Sequence, residues 1–191
     1  ISHGEHGHES AFDVAMNGQG LHTLRMEAVP QGDDAYLWRV WLNLLPHGAD
    51  LVNERLLGED LTIGATQFPR LWGGGEGLVA AWAEQDAEGR IEAISAAISR
   101  DQGNSFSYWR VPSGPEALAH IDVALWPGWA TMVYGQTTGS GGESSTSLFL
   151  AVTPDDGGTT QTLELASGLN ASYGLNGADN LHGYLATNRG I

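Results

Sequence analysis

Cysteine and lysine are both missing from the 191 residues. Without cysteine there is no disulfide framework and no thiolate metal site. Without lysine, the basic complement is eight arginines against 23 acidic residues, a formal charge of −15. A phosphate backbone is bound through clustered Lys and Arg, so no nucleic-acid partner is expected. The acidic surface favours solubility, and it would also suit a salty environment or attract cations. No run of about twenty apolar residues occurs, so no membrane span is expected. The opening ISHGEHGHES has neither an initiator Met nor a charged-then-apolar leader. Removal of a signal peptide leaves such a start, and the expectation is a secreted or periplasmic protein.

What is abundant points to strands. There are 27 Gly and seven Trp, and the apolar residues come in short runs rather than helical stripes. Many short strands joined by tight turns follow from that pattern, an all-β chain of one domain's length, long enough to bury its own core. Internal repetition is visible too. RVWLN (39–43), AAWAE (80–84) and MVYGQ (132–136) align on Trp41, Trp82 and Tyr134, at spacings of 41 and 52 residues. Each is followed by a polar or Gly-rich turn and a second apolar stretch, so each unit reads as a hairpin.

The second hairpin leads into AISRDQGNSFSYW (97–109). With an offset of 54, its Ser99, Asp101, Gly103 and Ser105 fall on Thr153, Asp155, Gly157 and Thr159. In the first unit only Asp60 of LGEDLTI stays in register. The chemistry of this turn is local. A short carboxylate accepts backbone N–H groups of its own turn, Gly supplies a positive φ, and the aromatic, Phe106, tucks beneath. The reading is a structural staple rather than a catalytic acid or a calcium ligand.

A turn of this composition, after a strand hairpin in a repeat of about fifty residues, resembles the Asp-box of the sialidase-like (BNR repeat) β-propellers. The resemblance covers about residues 21 to 168. It implies a β-propeller of four-stranded antiparallel blades, with the box between the third and fourth strands, away from a catalytic face. The expected limits are a His-rich N-terminal segment at 1–20, blades at 21–65, 66–114 and 115–167, and an incomplete remainder at 168–191. About three and a half blades do not close a ring, and open sheet edges invite association. Either AFDVAMN near the N-terminus completes a four-bladed ring, or another chain or a second copy supplies the missing blades. The family's usual six blades favour the partner.

The resemblance assigns no catalytic residue. Sialidases clamp a carboxylate with three Arg and use a Tyr nucleophile with carboxylate partners. The aromatic-Arg-Ile-Pro motif that introduces the first of those Arg is missing, and FPRL (68–71) has its elements in another order. Arg70 stands where a blade's inner strand should begin, as a channel-facing Arg or a surface ion pair. Of Trp72, Trp126 and Trp129, the pair in LWPGW (125–129) is the candidate for stacking on a sugar ring. His3, His6, His8 and Glu5 form a candidate copper or zinc set, against the alternative of a plain polar tail. If Ile1 is the amino terminus, its amine, the amides of Ser2 and His3 and the His3 imidazole make a square-planar Cu(II) site. The expected function is an exported acidic binding or assembly module. The rivals are a sialidase-like glycosidase completed by another chain and a glycan-binding propeller.

Overall fold

The computed structural model describes residues 8–31, 36–48, 52–61, 69–75, 77–85, 91–112, 117–138, 145–154 and 159–169, with backbone alone at 8–12, 60, 117–120 and 169. These residues form strands and turns, with no helix among them. Twelve strands make three antiparallel four-stranded sheets, each a simple meander. Sheet one holds β1 (His8–Met16), β2 (Gly20–Pro30), β3 (Tyr36–Pro46) and β4 (Asn53–Leu61). Sheet two holds β5 (Arg70–Gly74), β6 (Gly77–Gln85), β7 (Ile91–Ser99) and β8 (Ser107–Pro112). Sheet three holds β9 (Ala117–Trp126), β10 (Trp129–Thr138), β11 (Ser145–Pro154) and β12 (Gln161–Leu169).

The side-chain period of a strand, two residues, explains how the sheets stack. In β6 the alternate residues Val79, Ala81 and Ala83 join a core shared with Ile121, Val123 and Met132 of sheet three. Leu78, Ala80 and Trp82, on the opposite face, join a core shared with Leu24, Met26 and Val40 of sheet one. Sheet two is therefore the middle layer and is apolar on both faces. In β2 only the even residues are buried, and Thr23, Arg25 and Glu27 face away from sheet two.

The first strands of the three sheets, β1, β5 and β9, are neighbours. Each junction carries a side chain bonded to backbone. Asp13 of β1 accepts the Leu71 N–H at 2.9 Å, and Arg70 Nε donates to the Ile121 carbonyl at 2.9 Å. Gly73 lies where β5 meets β1 most closely: a Cβ there would stand 3.1 Å from both Ala15 Cβ and the Met16 carbonyl oxygen.

Several boundaries differ from the sequence reading. AFDVAMN does not complete a distant sheet, because β1 pairs antiparallel with β2, from His8↔Ala28 to Met16↔Leu21. Sheet one thus begins inside the segment set apart as the N-terminus. RVWLN lies in β3, a third strand, whereas AAWAE and MVYGQ lie in the second strands β6 and β10. Pairing gives the true equivalences. Leu78 pairs with Ser99, Ala130 with Thr153 and Leu21 with Leu45, so Arg25 is the counterpart of Trp82 and Tyr134. Asp60 lies within β4 and is no relic of the turn; His47 occupies the position of Asp101. Residues 170–191, most of the expected incomplete remainder, lie outside the described residues.

Candidate functional site

The Ser99–Phe106 turn joins β7 to β8, third strand to fourth. Ser99 Oγ donates to Asp101 Oδ1 at 2.8 Å and accepts the Gly103 N–H at 2.7 Å. Asp101 Oδ1 also accepts the Ser105 N–H at 2.9 Å, and Oδ2 accepts the Ser105 hydroxyl at 2.6 Å. Gly103 takes φ +89°, and Gln102, at +63°, is the one non-glycine with positive φ among the described residues. The hydroxyl of Ser105, then its N–H, then Ser99 hold the Asp101 carboxyl down at about 2, although it is exposed to water. A carboxylate with both oxygens engaged has no proton to give at neutral pH, so Asp101 is no general acid. Phe106 packs against the core between sheets one and two.

Arg55 of β4 fastens that turn to sheet one. Its Nη1 donates to the carbonyls of Gly103 and Asn104 at 2.8 and 2.7 Å, and its guanidinium lies 4.9 Å from the Phe106 ring centroid. The turns at this end of the sheets are joined in series. Gly18 N–H reaches the Gly75 carbonyl at 3.4 Å, His47 N–H the Gln19 carbonyl at 3.0 Å, and Arg100 Nη2 the Trp129 carbonyl at 2.8 Å. Beside the Arg55 clamp, between the inner face of sheet one and the turn, lies a cavity of about 250 Å3. His22 and Leu44 line it from sheet one, Asn53 and Glu54 from the rim, and Gln102 and Asn104 from the turn.

A second cleft, about 280 Å3, opens at the outer edge of the same two sheets. Trp82 lies at its base with an unpartnered buried indole N–H, and Tyr108 is exposed at its mouth. Arg110 bridges Glu84 at 3.2 Å and Glu92 at 3.1 Å, and the hydrogen bonds it donates to Glu92 and Glu84 raise its pKa further.

Comparison with protein-family models, curated proteins and solved structures finds no match to this chain.

The residues picked out from sequence fall into separate places. Thr153 is buried at the end of β11, as Ser99 is at the end of β7, while Asp155 and Gly157 lie outside the described residues. Trp126 and Trp129 face each other across the β9–β10 turn. The Trp126 indole N–H is tied to Thr131 Oγ1 at 3.1 Å, whereas Trp129 is 48% exposed. Trp72 packs partly buried against the core between sheets two and three. Arg70 spends its Nε on a backbone carbonyl, as a joint between strands. Tyr134 is buried, stacked on Phe149 at 5.4 Å, and burial raises its pKa while its hydroxyl bonds Thr162. A tyrosine nucleophile needs the opposite environment.

His3, Glu5 and His6 lie outside the described residues, as does the side chain of His8. Among the described residues, no group of three His, Asp or Glu is placed to hold a metal ion. In the sequence His22 is one of seven histidines and Arg55 one of eight arginines, neither in a motif. The usable signal was parity. His22 shares its strand face with Leu24, Met26 and Ala28, so a polar ring had to point inward.

Proposed function

We propose that the chain is a binding and assembly module: three blades of an open β-propeller, whose two end faces receive further blades from another chain or a second copy of this one. The observation that carries this reading is the contrast between the middle sheet and sheet one. Sheet two has apolar cores on both faces. Sheet one buries one face and keeps an apolar row on the other, where Met16 pairs with Leu21 and Leu21 with Leu45. Met16 is 61% exposed, and Val14, Leu21 and Leu45 are exposed around it. At the other end, Leu163 and Leu165 of β12 are exposed as well, Leu163 at 60%. Clustered exposed apolar side chains of this kind mark interaction surfaces. Two different end faces meeting head to tail is a heterologous contact, which closes a ring if the rotation per blade allows.

Three neighbouring first strands, four-stranded meanders and the Ser99–Phe106 turn between third and fourth strands support the propeller part of the reading. Nothing at Arg70, Tyr134 or Asp101 favours a glycosidase. The exposed Trp129 favours glycan contact as a second reading.

Sedimentation equilibrium over a wide concentration range tests the module. The expected mass is a multiple of the single-chain 20.3 kDa, falling to one chain in Leu21→Lys. A single-chain mass at every concentration, with no partner recovered by crosslinking at the Met16 or the Leu163 face, overturns it.

A further inference from the structure

The cavity at the Arg55 clamp contains a buried acceptor with nothing to accept from. His22 is 1% exposed, level with Leu44 of β3 and Ala15 of β1. Its Nε2 lies 3.0 Å from Asn17 Oδ1. That oxygen also receives the Gln19 N–H at 2.9 Å, so it is an acceptor and His22 Nε2 carries the proton. Burial lowers the pKa of the ring and keeps it neutral. Nδ1 is then a bare lone pair, buried without a partner. Native structures rarely leave such an atom orphaned, and a hydrogen-bond donor is what it calls for. His22 lines the cavity, so the ring that carries this orphaned atom forms part of its wall.

The rest of the wall narrows the chemistry. Asn53, Gln102 and Asn104 carry amides that both donate and accept, and Glu54 accepts. Leu42 and Leu44 give one apolar side. Glu54 and Arg55 oppose each other in sign, so the wall selects neither cation nor anion, and the chain's net charge of −15 further disfavours an anion. Gln102 holds a left-handed backbone at the rim, a strained placement of the kind found at ligand sites. The volume, about 250 Å3, is just under the range of roughly 300–1,000 Å3 for ordinary ligand pockets and suits something small.

We infer that this cavity binds a small neutral polyhydroxylated molecule, one sugar ring or a short polyol, with a ligand hydroxyl donating to His22 Nδ1. The C–H face of such a ligand rests on Leu42 and Leu44, and its other hydroxyls exchange bonds with the amides and Glu54. Every wall residue belongs to sheets one and two of a single chain, so the site stands whether or not the propeller assembly does.

Two-bond proton–nitrogen correlation spectra of the histidine rings read Nδ1 directly. Glucose, galactose, N-acetylglucosamine, mannitol and glycerol are titrated one at a time to about 50 mM, far above a millimolar dissociation constant. The expected result is a saturable shift of His22 Nδ1 with at least one of them, while the exposed His47 ring stays unmoved. Asn53→Ala, on the exposed rim, should weaken that probe by about tenfold or more, and His22→Phe should abolish it. If His22→Phe fails to fold, the rim variant carries the test. No shift with any of the five probes overturns the inference, as does a shift that Asn53→Ala leaves unchanged. Zinc chloride moving Nδ1 in place of the sugars would overturn it in favour of a metal site.

Discussion

Sheets one and two are the same four-stranded meander built to different rules. In β6 and β7 nearly every residue is buried, and many are Ala, because both faces must let another sheet approach. In β2 and β3 only alternate residues are buried, and the outward ones include Arg25, Glu27 and Trp41. Arg25 lies 5.3 Å over the Trp41 ring, and the Trp41 indole donates to Glu27 at 2.8 Å. Between these two sheets, composition follows the number of covered faces. The outward face of sheet one nevertheless turns apolar at the Met16–Leu21–Leu45 row, where it resembles sheet two more than a solvent face.

The sharpest way to break that comparison is to truncate one large side chain from each class. Trp82→Ala should cost about 3–5 kcal/mol of folding stability, read by denaturant unfolding, since Trp82 fills the interface with sheet one. Its indole N–H already lacks a partner, so the loss is one of packing, and Trp82→Phe should cost under about 1.5 kcal/mol. Met16→Ser should change folding stability by less than about 0.5 kcal/mol. Equal costs for Trp82→Ala and Met16→Ser would mean that Met16 is covered, and the distinction between middle and end sheets would fail.

A smaller effect sharpens how the two sheets are held together. Arg55→Ala removes two charge-assisted hydrogen bonds and a contact with Phe106, but it frees carbonyls that water can reach. The net loss should be about 1 kcal/mol. Arg55→Lys should recover little of it, because one ammonium replaces neither the planar fork nor its stacking. Hydrogen exchange at Gly103 and Ser105 separates a loosened turn from a general loss of stability. Full rescue by Lys would reduce the clamp to a point charge.

The parts of this arrangement that were legible in the sequence are those set by local chemistry. Short apolar runs, abundant Gly and hydroxyl-rich turns gave the strands and their antiparallel connections. The first repeat was misaligned for a physical reason. Trp82 and Tyr134 face the preceding sheet in the stack, and their counterpart Arg25 faces a side where no described sheet precedes. With no layer to fill, an arginine stands in place of the aromatic, and the nearest aromatic strand, β3, was matched instead. The cavity was not legible, because it joins His22 of β2 with Asn53 of β4 and Gln102 of a different sheet, positions that no periodicity connects. An inward-facing histidine on an alternating strand was its only trace.

The smallest effect concerns Asp101, and it separates the Ser99–Phe106 turn from the His47–Gly48 turn of sheet one, which has no carboxylate at the equivalent place. The hydrogen bonds from Ser105 and Ser99 hold the Asp101 pKa at about 2, below the ordinary 3.8. The folded chain therefore takes up this proton later than the unfolded chain does. The stabilisation is complete above about pH 4 and is lost as the pH falls from there through about 2. Asp101→Asn keeps an acceptor for the Ser105 N–H but has no charge to protonate. The other 22 acidic residues are common to both proteins, so the difference between their melting temperatures isolates this one. It should be steady from about pH 7 to 4 and close toward pH 2, and it should be small throughout because water screens the exposed carboxylate. A difference as large at pH 2 as at neutrality would mean that geometry alone, not the charge on Asp101, makes this turn firmer than its carboxylate-free counterpart.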